Sequence, residues 1–180
     1  MRRLAAAGLC LGMIAGCGGA PVRSRPPLAS RHLSVNVERA REAMLHVLAE
    51  RGFTLAASDP AAGTIETEWL PINPDFLATI WLTEAEDRYS DCGRPGVHET
   101  YRGKEVRLGV TLSPARHGEA DVGVRADFRT EARATLSLSA ETPGEPVACG
   151  SRGRLEEEIV IETQVRVLMD QYNRVRRGRR

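Results

Sequence analysis

The sequence predicts an α+β domain, a curved antiparallel sheet with helices packed on one face, and three observations lead to it. Val106, Leu108, Val110 and Leu112 alternate with polar residues, and Val122, Val124, Ala126 and Phe128 do so again after a turn over Pro114 to Gly118. Val37 to Arg51 places Val37, Ala40, Met44, Val47 and Leu48 at three- and four-residue steps, the mark of an amphipathic helix. From Ser151 to about Tyr172 there is no proline and no glycine beyond Gly153, and Leu155, Ile159, Val165, Leu168, Met169 and Tyr172 give a long closing helix its apolar positions.

In chain order, Leu33 and Val35 alternate and predict a short leading strand. Asn36 is placed to cap the first helix and Gly52 to follow its end. Phe53, Leu55 and Ala57 alternate, Asp59-Pro60-Ala61-Ala62-Gly63 turns the chain, and Thr64 to Trp69 returns with β-branched residues, which predicts a hairpin. Thr135 to Ala140 is expected to add a strand before Pro143-Gly144-Glu145-Pro146 breaks the sheet. Glu156-Glu157-Glu158 falls in the first turns of the closing helix and arginines follow its last, the polarity a helix dipole favours without any active site. No internal repeat is present.

Hydrophobic residues make up 42% of the 180 positions, charged residues 27% and aromatics only 4%, so the core of one folded domain must be largely aliphatic. Arg2 and Arg3 followed by the apolar run Leu4 to Ile14 have the form of a secretion leader, and the run is too short to span a bilayer. Ile14-Ala15-Gly16-Cys17 resembles the bacterial lipobox, which implies removal of residues 1–16 and lipidation of Cys17. Three acyl chains, as the resemblance implies, make a stable anchor. Gly18, where inner-membrane lipoproteins carry aspartate, points to the periplasmic face of the outer membrane over inner-membrane retention. Residues 17–30, with prolines at 21, 26 and 27, are expected to form a flexible tether, 31–173 the domain, and 174–180 a basic tail. That tail holds five arginines and is read as solvated and frayed, with anionic lipid as the alternative contact. Loss of Arg2 and Arg3 takes the formal charge from +1 to about −1, which gives no reason to expect a nucleic-acid partner.

Of four cysteines, Cys10 leaves with the leader and Cys17 carries lipid, so Cys92 and Cys149 are expected to form a disulfide in an oxidising compartment. Metal ligation by this pair is disfavoured, because neither lies in a C-x-x-C and no histidine sits at ligand spacing.

Glu50-Arg51-Gly52-Phe53-Thr54-Leu55 after a helix, the Asp59 turn and Gly63-Thr64-Ile65 resemble the opening of envelope lipoprotein domains of the BamC kind. Cys149-Gly150-Ser151-Arg152-Gly153-Arg154-Leu155-Glu156, with Asp91-Cys92-Gly93, is similar to the cysteine-bearing pattern of lipoproteins with that helix-grip domain. The resemblance spans Leu33 to Tyr172. It implies a helix-grip sheet and an accessory role in the envelope without catalysis. The chain departs from BamC itself, which has two such domains after a long unstructured segment.

His32, His46, His98 and His117 are scattered, and no H-x-H, H-E-x-x-H, G-x-S-x-G or phosphate-binding glycine loop occurs, so no cofactor, metal or catalytic residue is expected. Glu84, Glu86, Asp87 and Asp91 do not follow a calcium-loop spacing and are read as a solvated face. Phe76 to Leu82, with Trp81, and Trp69 each have two readings, a buried strand or an exposed lip for a partner or lipid. The function expected is a lipid-anchored, non-enzymatic module that binds envelope proteins or supports outer-membrane assembly. The alternative is a carrier of an apolar, lipid-like ligand between sheet and closing helix.

Overall fold

The computed structural model describes residues 29–72, 88–135 and 144–178. Its centre is a long antiparallel hairpin, β6 (Glu99–Pro114) against β7 (Ala120–Ala134), in register from Glu99 and Ala134 to Pro114 and Ala120 with one bulge at Arg102 to Lys104. Around it stand β1 (Ala29–Leu33), β2 (Leu55–Asp59), β3 (Thr64–Thr67), β4 (Leu70–Pro71), β5 (Ser90–Asp91) and β8 (Glu145–Ser151). The eight strands form one antiparallel sheet in the order β2-β3-β6-β7-β8-β5, with β1 on the other half of β7 from β8 and β4 on β6. Two helices, α1 (Val37–Glu50) and α2 (Arg154–Gly178), complete the α+β class expected from the sequence.

Strand alternation fixes which face is wet. Val106, Leu108, Val110, Leu112, Val122, Val124, Ala126 and Phe128 are all buried on the inner face. Ala40, Ala43, Met44, Val47 and Leu48 of α1 and Leu155, Ile159, Val160 and Val167 of α2 join the same core cluster. The outer face carries Arg129 against Glu105 at 2.5 Å and Arg107 against Asp127 at 3.1 Å, cross-strand pairs dictated by the β6–β7 register.

The α1 signals act as read. The Asn36 side chain accepts a hydrogen bond from the Arg39 amide at 3.1 Å, and Gly52 takes a positive φ of 82° that lets Phe53 N reach Leu48 O at 2.9 Å. In the β2–β3 turn Asp59 Oδ1 accepts from the amides of Ala61 and Ala62. The strand ladder nevertheless begins at Leu55, and Leu55 is 42% exposed, because β2 ends the sheet among the described residues and its register slips between Leu55 and Ala57.

Four expectations are corrected. The leading strand takes Ala29 and Ser30 from the presumed tether, since β7 offers them partners in Val124 and Gly123. Thr135 lies in a turn, and the rest of the strand expected over 135–140 lies outside the described residues. The break expected at Glu145-Pro146 is a strand instead: β8 has β5 beside it only at Gly150 and Ser151, so Pro146 occupies an edge, where a missing N–H costs no ladder bond. Ser151 closes β8, and the last helix starts at Arg154 and runs through the presumed basic tail to Gly178.

The close approach of β3 to β6 depends on Gly63. It sits at φ +66°, and a Cβ there would lie 2.0 Å from the Leu112 carbonyl oxygen, while Leu112 N donates to Gly63 O at 2.7 Å. Gly63→Ala therefore combines left-handed strain with a backbone collision and is expected to destabilise the fold by about 3 kcal/mol, measured as a lower urea midpoint at unchanged slope.

Candidate functional site

Of the three residues singled out in the sequence, Cys17 lies outside the described residues. Cys92 and Cys149 are joined in a disulfide across a separation of 57 residues. The bond stands beside a very short ladder, Ser90 with Ser151 and Asp91 with Gly150, extended by Arg152 N to Tyr89 O at 2.9 Å. It therefore fastens the two-residue β5 to the sheet where backbone pairing alone is weak.

Charged groups continue this lock onto the helices. Glu158 of α2 accepts from the Tyr89 hydroxyl at 2.9 Å and from Arg88 at 3.0 Å, while Arg51, at the end of α1, bonds Glu162 through Nε at 2.9 Å. The hydrogen bond to Glu162 holds the Arg51 guanidinium protonated beyond its ordinary range, and burial pushes the Tyr89 phenol up. Arg166 of α2 pairs with Glu50 of α1.

Beneath them lies Glu156, 0% exposed. It was expected to serve the helix dipole, but the start of α2 turns it under the sheet. Its Oε1 accepts from Ala126 N at 3.2 Å and from the Ser151 hydroxyl at 2.5 Å, while Oε2 has no partner. Desolvation raises its pKa against those hydrogen bonds. All these groups join elements of the fold to one another.

On the outer face, the Arg107 and Arg129 guanidinium carbons lie 4.9 and 4.1 Å from the centre of the Trp69 ring. It is half-buried and belongs to neither reading given it: not to the core and not to an apolar lip. Trp81, the Phe76 to Leu82 run, Glu84, Glu86 and Asp87 lie outside the described residues. Asp91 accepts from Gly93 N at 2.9 Å and so tightens a turn. His32 is held between Asp121 and Glu119, at 2.9 and 2.5 Å, and these contacts raise its pKa.

A cleft of about 480 Å³ opens over Arg102, Lys104, Glu105, Arg129, Glu131 and Arg133. Its Arg129–Glu105 and Arg133–Glu131 contacts are ion pairs, and Arg102 and Lys104 add cationic side chains to a polar surface with no nucleophile and base set against each other. Among the described residues no three His, Cys, Asp or Glu side chains are grouped to hold a metal ion, and no helix there is long and apolar enough to cross a membrane.

No protein-family model and no curated protein matches the chain.

One surface was missed in the sequence reading. Val165, Leu168, Met169 and Tyr172, read there as apolar positions of the closing helix, are exposed, and Thr163 and Val167 are buried. The signal was available: six residues separate Ile159 from Val165, a rotation of about 240° on a helix, so the two cannot share a face.

Two expectations follow. Cys92→Ser, measured against the oxidised wild type by denaturant unfolding, should lose about 4 kcal/mol on the chain-entropy account of a loop this long. For Glu156, the raised pKa means that the folded chain binds more protons than the unfolded one between the two pKa values, so stability falls as pH rises from the ordinary glutamate range through the folded value. Glu156→Gln keeps the Oε1 acceptor and cannot ionise. It is expected to melt above the wild type at neutral pH, with the difference closing as pH is lowered into the ordinary glutamate range.

Proposed function

We propose that the protein is a bacterial envelope lipoprotein, lipidated at Cys17, whose domain is a non-enzymatic protein-binding module of the BamC-like helix-grip kind facing the periplasm. The observation that carries this reading is Ile14-Ala15-Gly16-Cys17 at the end of a basic and apolar leader. The bonded Cys92–Cys149 pair supports it, because such bonds persist in oxidising compartments. A sheet with α1 and α2 on one face is the arrangement a helix-grip domain requires. The charged groups that surround the disulfide are consumed in ion pairs between elements, which favours a scaffold over an enzyme. Gly18 directs the proposed anchor to the outer membrane.

The carrier alternative needs room between α2 and the sheet. Met44, Ile159, Val160, Thr163 and Val167 fill that interface, and the Thr163 hydroxyl is turned back onto Ile159 O at 2.8 Å. The packing therefore favours a protein partner over an enclosed apolar ligand.

The test is metabolic labelling with a fatty-acid probe and membrane fractionation in a Gram-negative host. The wild type is expected to take up label, to begin at Cys17 by mass, and to sediment with outer membranes. Cys17→Ala should take up none and leave the membrane fraction. A mature wild-type chain without acyl mass would overturn the anchor.

A further inference from the structure

The second apolar face of α2 runs along the side away from the sheet. Ile161, Val165, Leu168, Tyr172 and Val175 are 38 to 61% exposed. They recur at steps of four, three, four and three. At about 100° per residue they form a stripe roughly 80° wide, diametrically opposite the buried face, with exposed Met169 on its border. A stripe that narrow, in strict four-three spacing, is the seam of a helix pair, whereas a helix lying in a lipid surface shows a broader apolar arc.

Charge is segregated along the same helix. Exposed Glu157 stands near its start, beside Glu158 and Glu162, which Arg88 and Arg51 already hold, and Arg174, Arg176 and Arg177 stand in its last turns. Parallel pairing would set acid beside acid and arginine beside arginine. A copy laid antiparallel, with its two-fold at Leu168, sets Ile161 against Val175 and Val165 one position from Tyr172, and carries the arginine end of each helix away from that of the other and toward Glu157.

We infer that this face is a homodimer interface in which two copies pair antiparallel through α2. Six apolar side chains from each copy cover on the order of 1,000 Å² in total, the lower bound for a specific association. The inner face already orders the helix, so pairing adds little conformational cost. The dimer is reversible.

The experiment uses the full-length chain expressed in cells with a benzophenone amino acid in place of Ile161 and, as a control, in place of Val97, which is 95% exposed in the turn before β6. Irradiation should yield a covalent dimer from position 161, joined near Val175 of the other copy, and none from position 97. Leu168→Glu with Tyr172→Glu should lower that yield about tenfold or more, with a thermal midpoint close to wild type showing that the fold survives. Joining near Ile161 of the other copy would overturn the antiparallel order. The absence of a dimer, a dimer indifferent to the two glutamates, or capture of lipid in place of protein would overturn the interface.

Discussion

The uninterrupted alternation of aliphatic residues along β6 and β7 is the constraint from which the other elements take their places. A hairpin of that length has one face that water cannot satisfy and one that it can, and no element near it is free of the consequence. Both helices lie on the apolar face, where their buried aliphatic residues cover it. The opposite face is left to charge, and the fixed register turns the sequence positions of Glu105, Arg107, Asp127 and Arg129 into cross-strand ion pairs whose two arginines both contact the Trp69 ring. β1, β3, β4 and β8 are then short additions to a template that already exists, each using whichever backbone edge the hairpin leaves open.

This dependence explains where the fold needs help. β5 has two residues and, among the described residues, one neighbouring strand, so its attachment rests also on groups other than the ladder: the Cys92–Cys149 bond and the contacts of Arg88 and Tyr89 with Glu158. The same corner contains Glu156, whose desolvation outweighs the hydrogen bonds that oppose it. A buried carboxylate with one unpartnered oxygen is a poor source of stability. Its merit is geometric, because it joins the Ala126 amide and the Ser151 hydroxyl and so fixes the angle at which α2 leaves the sheet.

What was legible in the sequence followed from local rules with a single solution. Asn36 and Gly52 bracket α1 because a cap and a left-handed glycine act over a few residues, and Val106 to Phe128 can pair in only one register if the aliphatic face is to be covered. What was not legible depended on partners distant in sequence. Pro146 counts as a breaker until it is known that no strand among the described residues lies beyond it, and the exposure of Leu55 follows only once β2 is known to end the described sheet. In α2 the apolar residues were read only as fitting a helix, though the rotation from Ile159 to Val165 places them on two faces. Glu156 could not be read as buried, since a run of three glutamates at a helix start has a sufficient explanation in the dipole. Cys17 is legible only as a motif, and the described residues begin twelve positions after it.

The two faces of α2 are connected in their effect. The inner face is clamped by Ile159, Thr163 and Val167 and flanked by the Arg51–Glu162 and Arg166–Glu50 pairs, so the outer stripe is presented on a rigid rod rather than on a segment that must order when it binds. β1 lies against the same helix, with Arg31 donating to Gln164 at 2.7 Å and Gln171 to the Ser34 carbonyl at 3.1 Å, so the chain enters the domain beside α2. A lipid on Cys17, as proposed, would confine copies to a surface with the helix close to the point of attachment. Confinement raises the effective concentration of one copy near another without adding a contact. An interface of modest area that is too weak to hold freely diffusing molecules together is sufficient under that condition, and a seam of five residues requires no extension to serve it.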